Sequence, residues 1–160
     1  TRRQRERVAV LIRACVVRLG VEIIPASAIN ARGITWANHE VFCRLVRAID
    51  AYEYVVDGTL RLPLPVEFAG RVRCERGADA RFLAVSAASI VAKECRDLLM
   101  AHLHHAHPQY GWVENVGYGT RAHILALSQH GMCQHHRRQF VATALSHPYG
   151  TPHGRRDRRL

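Results

Sequence analysis

Asp57 closes an apolar run, Tyr52–Val56, and Gly58 follows it at once. An apolar strand ending in Asp-Gly sets a carboxylate at a sheet edge, and the glycine lets the backbone turn away and leaves room for a ligand. A plain turn aspartate would read the same from this dipeptide alone. Further along, Arg76-Gly77-Ala78-Asp79 brings a second carboxylate ahead of another apolar stretch. Two carboxylates on neighbouring strand ends can share divalent cations, and hard cations such as Mg²⁺ take oxygen ligands, commonly with substrate phosphate. Phosphodiester hydrolysis often uses two such ions, one on the attacking water and one on the leaving oxygen. Two unrelated loop aspartates would show the same spacing.

The stretch Ser86-Ala87-Ala88-Ser89-Ile90-Val91-Ala92-Lys93 adds a different chemistry. Small residues at a helix start permit close approach, and the exposed N–H groups there suit a phosphate. Lys93 adds positive charge about two turns in. A tightly packed helix with alanine at its contacts is the structural alternative. Histidines crowd His102, His104, His105 and His107, but no i,i+4 pair exists among them, so solvated rings outweigh a zinc site. Cys133-Gln134-His135-His136 offers half a metal site with no visible second half.

These residues need elements to hold them. Residues 5–19 read as an amphipathic helix with Val8, Leu11, Ile12, Cys15 and Leu19 on one stripe and Gly20 as its C-cap. Val21–Pro25 is strand-like. Ile34–Ile49 is a second helix with Val41, Leu45 and Ile49 inward. Tyr52–Val56 is a buried strand, Leu60–Pro65 a proline-punctuated loop, and Val66–Cys74 contains a further strand. A long helix runs from Ser86 to about His107, capped by Ser86 or Ser89 and stopped by Pro108. Gly117–Thr120 is a turn, Thr120 caps a helix over Arg121–His130, and Gly131 closes it. A last helix covers Arg137–Leu145. Residues 146–160 form a basic tail with Arg155, Arg156, Arg158 and Arg159, read as disordered; it could touch a DNA backbone or be merely solvated. The order is that of an α/β layer with the helical part last.

Composition bounds the partners. The 160 residues suit one domain with a sizeable core, and 48% hydrophobic against 22% charged is globular composition. No run approaches the roughly 18 apolar residues of a membrane span. The opening Thr1-Arg2-Arg3-Gln4-Arg5-Glu6-Arg7 lacks the apolar centre of a signal peptide and an initiator Met, as expected of a start inside a longer protein. The net charge of +10 favours polyanions, although a generally basic surface accounts for it equally well. Lys93 is the one lysine among 23 Lys and Arg residues. The five cysteines Cys15, Cys43, Cys74, Cys95 and Cys133 are odd in number and form no CxxC, which points to reduced thiols in a cytoplasmic protein.

Taken in order, these segments resemble type 2 ribonuclease H, the ribonuclease HII family, up to about Leu145. The resemblance rests on Val56-Asp57-Gly58, on Gly77-Ala78-Asp79 with Ala80–Lys93, and on Arg96-Asp97. It continues through Pro108-Gln109-Tyr110-Gly111, Gly117-Tyr118-Gly119-Thr120, His123 and His135–Phe140. It implies an α/β, RNase H-like fold with a mixed central sheet flanked by helices and a helical C-terminal part. It implies metal-dependent cleavage of RNA paired with DNA, and of single ribonucleotides embedded in DNA, in replication and repair, leaving 5′-phosphate and 3′-hydroxyl ends. By motif position, Asp57 and Asp79 correspond to two of the family's four metal-binding acids, for Mg²⁺ or Mn²⁺. Tyr118 corresponds to the tyrosine that stacks on the sugar beside the RNA–DNA junction, a contact suited to reading the 2′-OH. Gly117, Ser89, Lys93 and Arg138 fall on the substrate side, Ser89 and Lys93 with either a phosphate-binding or a structural role.

The family's N-terminal Asp-Glu pair and the Gly-Arg-Gly after it have no counterpart here. Thr1 aligns beyond the strands that carry them. Val116 stands where lysine is common, Thr59 where Asn is common and Gln139 where Ser is common. A sheet short of its first strands exposes an unpaired edge. The expectation is therefore a monomeric RNase H-like domain over 1–145, away from membranes, lacking its first strands. As an enzyme it would be weak or inactive; the alternative is a non-catalytic binding remnant. A Cys/His zinc protein is the least supported reading.

Overall fold

The computed structural model describes residues 1–68 and 70–146. They form an α/β fold of two compact units, one spanning Thr1–Leu99 and one from Met100 onward.

Helix α1 (Arg2–Cys15) begins on a capping box. Thr1 Oγ1 accepts the Gln4 N–H at 3.3 Å, and Gln4 Oε1 receives the N-terminal ammonium at 2.7 Å. The helix ends at Val16 in extended backbone, so Gly20 is not its cap. A Cβ on Gly20 would stand 2.8 Å from Ile49 Cδ1 and 3.1 Å from Leu45 Cδ2; this glycine serves a close approach to helix α3 (Ile34–Ala48). The expected α1 stripe is not buried. Val8, Leu11, Cys15 and Leu19 are exposed, Ile12 is half-buried, and Ala9 alone is fully enclosed. What ties α1 to its unit is charge: Arg5 and Arg13 reach Asp97 and Glu94 on the long helix α4 (Leu83–Ala106), each at 2.6 Å.

Val21–Pro25 is not a strand. Val21 and Ile23 are exposed, and a β-branched run without a neighbouring strand has no ladder to join. The chain instead enters a short helix, α2 (Ala26–Arg32), which carries no side-chain cap. In α3 the buried seam runs through Ala37, Cys43 and Val46, while Val41, Leu45 and Ile49 are half-buried.

The implied mixed sheet is represented, among the described residues, by two strands. β1 (Tyr54–Asp57) and β2 (Val72–Glu75) pair in parallel, with Tyr54 opposite Val72 and Asp57 opposite Glu75. Parallel pairing needs a crossover, supplied by the loop after Gly58 with its 3-10 turn at Val66–Phe68. A second 3-10 turn, Ala78–Ala80, leads into α4. Neither Ser86 nor Ser89 caps α4. The Phe82 carbonyl already accepts from Val85 (3.1 Å) and Ser86 (3.0 Å), so the helix starts at Leu83.

The second unit follows its local signals closely. Pro108–Tyr110 is a 3-10 turn and Trp112–Asn115 the short helix α5. Helix α6 (Arg121–His130) is capped by Thr120, whose hydroxyl accepts the His123 N–H at 3.3 Å, and is closed by Gly131. Helix α7 covers Arg138–Ser146, so Ser146 is helical rather than part of the tail. Residues 147–160, with the four C-terminal arginines, lie outside the described residues. Tyr110, Trp112, Leu127 and Val141 make the core, packed by Met100, Leu103, Ala126 and Cys133. Among the described residues no helix is long and apolar enough to cross a membrane.

Candidate active site and nucleic-acid contact

In the first unit the end of the sheet holds the acidic pair. β1 stops at Asp57, and Gly58, at φ 119°, turns the chain while its N–H reaches the Glu75 carbonyl at 3.0 Å. Gly77, at φ 70°, turns the chain again after β2. The Asp57 Oδ1 accepts the backbone N–H of Ala78 at 3.0 Å, and Ala78 is fully buried. That one bond fixes the loop whose next residue is Asp79. Both aspartates are exposed, and the Ala78 bond brings the loop before Asp79 to the end of β1.

Glu75, opposite Asp57 in the register, is a carboxylate that sequence reading passed over. Its charge is engaged by Arg81 and by Arg73, the latter at 3.5 Å. Among the described residues no three His, Cys, Asp or Glu side chains converge as a metal site. Asp57 and Asp79 offer the hard oxygen donors a divalent cation prefers, but only part of the set that a pair of cations needs.

On α4, Ser89 is half-buried and Lys93 exposed. Because the helix starts at Leu83, they lie about 9 and 15 Å along its axis. They therefore sit on the body of the helix, past the free N–H groups of its first turn. Glu94 and Asp97 occupy its buried face and hold Arg13 and Arg5. The bond from Glu94 raises the pKa of the Arg13 guanidinium. Asp97 of the Arg-Asp motif is thus an ion-pair partner.

The second unit builds the turn that carries Tyr118. Val116 (φ 42°) and Gly117 (φ 77°) both lie in the left-handed region. A β-branched residue there costs roughly 1–2 kcal/mol. Asn115, buried, holds the turn from one side. Its Nδ2 donates to the Tyr110 carbonyl (2.7 Å), its Oδ1 accepts from Gly117 N–H (2.9 Å), and its own carbonyl accepts from Tyr118 N–H (2.8 Å). From the other side His123 Nδ1 lies 2.9 Å from the Tyr118 carbonyl. Tyr118 itself remains 64% exposed. Arg138 is exposed at the start of α7.

His107, His123, His135 and His136 are packing and hydrogen-bonding groups. His107 stands edge-on to Trp112 and His135, with centroids 5.7 and 5.5 Å away. His136 Nδ1 accepts from the Cys133 N–H at 3.0 Å and lies 3.3 Å from Cys133 Sγ. Its Nε2 meets His123 Nε2 at 3.3 Å. Burial, then the neighbouring His123, push the His136 pKa down to about 4. Sequence reading noted His123 and His136 separately; nothing in their spacing showed that they meet.

The family model described as Ribonuclease HII matches residues 1–143. Similar proteins bear the same name. One from Thermosynechococcus vestitus is 35% identical over 146 residues, 91% of this chain and 67% of its own length. One from Wolbachia pipientis is 37% identical, covering 79% of this chain and 63% of its own length. One from Paramagnetospirillum magneticum is 39% identical over 149 residues, 90% of this chain and 70% of its own length. The chain thus spans about two thirds of the length of the relatives it matches.

Proposed function

The chain belongs to the ribonuclease HII family, and from that membership we propose that it is the larger part of a metal-dependent endonuclease. Its substrates are RNA–DNA hybrids and duplex DNA with embedded ribonucleotides, met in replication and repair. The observation that supports the reading is the 3.0 Å bond from Ala78 N–H to Asp57 Oδ1, which ties the end of β1 to the residue before Asp79. These two carboxylates are the chain's own ligands for Mg²⁺ or Mn²⁺. When bound, such ions activate the attacking water and stabilise the leaving oxygen. Asp57 and Asp79 neutralise only part of the charge of two cations and fix their geometry less than four acids would, so this chain alone is weak or inactive. Tyr118 stacks on the sugar at the junction, with Gly117 giving the close approach. Ser89, Lys93 and Arg138 face the phosphates. The basic net charge of +10 fits a nucleic-acid partner. The five free cysteines support action in the cytoplasm.

The two-carboxylate donor set also favours a second reading, a remnant that binds the hybrid without cutting it. Both are tested on the 160-residue chain with a duplex carrying one ribonucleotide. Weak Mn²⁺- or Mg²⁺-dependent cutting supports the enzyme, binding without any cutting supports the remnant, and rapid cutting overturns the weak-activity claim. Mn²⁺ titration of Asp57→Asn and Asp79→Asn checks the ligands: undiminished binding in both variants overturns the assignment.

A further inference from the structure

The turn at Val116–Tyr118 is strained, and its one exposed aromatic is the residue assigned to the sugar. Something must hold that turn against Val116's left-handed backbone, and the hydrogen bonds converging on it have a defined direction. A backbone N–H can only donate, so Cys133 N–H donates to His136 Nδ1, 3.0 Å away. A carbonyl can only accept, so the Tyr118 carbonyl, which also takes the Thr120 N–H at 2.8 Å, receives a bond from His123 Nδ1–H at 2.9 Å. The contact between the two rings, Nε2 to Nε2 at 3.3 Å, then has one neutral solution: His136 Nε2–H donates to His123 Nε2. Both rings are nearly enclosed, 5% exposed for His123 and 6% for His136.

We propose that His123 and His136, with Asn115, are positioning residues for Tyr118. The relay runs from Cys133 N–H through His136 (Nε2–H tautomer) and His123 (Nδ1–H tautomer) to the Tyr118 carbonyl. What Tyr118 then does rests on the function proposed above; the relay itself does not. Among the described residues, the groups facing His136 include His123 from α6, the Cys133 thiol and His135 from the preceding turn, His107 and Tyr110 from the 3-10 segment, and Trp112 from α5. An extra proton would have to enter at His123 Nε2 or His136 Nδ1, and each of those already faces a donor. The relay therefore works with both rings neutral, in keeping with the depressed His136 pKa.

Long-range ¹H–¹⁵N imidazole spectra of the unaltered chain at pH 7 test the relay directly. The expected pattern is a protonated Nδ1 on His123 and a protonated Nε2 on His136. The opposite tautomer on either ring, or an imidazolium, overturns the proposal. The functional arm compares affinity for a duplex with one ribonucleotide against the all-DNA duplex, without a cleavage-supporting cation. His123→Phe, which removes the side-chain donor and leaves the Thr120 N–H, should lower that ratio about tenfold. His123→Asn, which keeps an N–H near the Nδ1 position, should restore most of it. An unchanged ratio in the Phe variant, or an equal loss in both, overturns the positioning role. Tyr118→Ala separates the two layers: if it leaves the ratio unchanged, the sugar-reading assignment fails while the tautomers still stand or fall by the spectra.

Discussion

The two units hold their candidate residues by opposite means. In the first, Asp57 and Asp79 sit in solvent at the end of two four-residue strands, fixed by one side-chain bond to Ala78 N–H. Elsewhere in that unit apolar side chains stay uncovered: Val17 is 97% exposed, and Leu11, Val21 and Ile23 are exposed too. In the second, Tyr118 projects from a turn bonded on both flanks by buried groups and set on an aromatic core. A site on a sheet end takes its rigidity from the strands beside it, so two strands leave it under-supported. A site on a buried polar network carries its support within a few residues. The Tyr118 turn should therefore be better ordered than the loop ends that carry Asp57 and Asp79.

The harshest way to break that contrast is Trp112→Ala. Trp112 is 1% exposed and stacks on Tyr110 with centroids 5.0 Å apart. Its loss should cost about 3–5 kcal/mol and remove the cooperative urea transition of the second unit. Acid should act next. His136 binds its proton with a pKa of about 4 in the fold, against 6.5 as the ordinary value. Below pH 6.5 the unfolded chain takes up a proton that the fold refuses. Stability should hold above pH 6.5, fall by at most roughly 3 kcal/mol between pH 6.5 and 4, and flatten below. Urea midpoints against pH check this, and a flat profile across that window would remove the buried-pair account.

The same contrast separates what was legible from what was not. Thr120 and Gly131 act on their own helix ends, and Pro108 stops α4 within two residues, so local chemistry predicts these boundaries. The start of α4 was missed because the nearest hydroxyls, Ser86 and Ser89, lie inside a helix that Phe82 already opens. The α1 stripe has a true helical period, yet periodicity reports only that a face is apolar, never that a neighbour covers it. Asp57 and Asp79 can be singled out by type, but the tie between the end of β1 and the loop before Asp79 is tertiary, made by the Ala78 N–H. The His123–His136 contact is tertiary throughout.

Glu94→Gln is the milder test of the first unit. It leaves Arg13 beside a buried face without its charge partner, 2.6 Å away in the parent. Since Arg13 is about one third exposed, water screens much of the loss. The expected cost is small and shrinks with added salt. A salt-independent loss would mean that packing, not charge, holds α1 on α4.

Asp57→Asn gives the smallest effect on stability and the sharpest on function, because the Asp57 carboxylate has two separable duties. One oxygen accepts from Ala78 N–H, and an asparagine oxygen can do the same. Asp57→Asn should therefore change stability by less than about 0.5 kcal/mol while weakening Mn²⁺ binding. Asp57→Ala removes the acceptor as well and strands the N–H of a fully buried residue, at about 1–2 kcal/mol. Urea melts of the two variants, set beside Mn²⁺ titrations, distinguish the duties. If Asn and Ala destabilise equally, the Ala78 bond is not what holds the Asp79 loop.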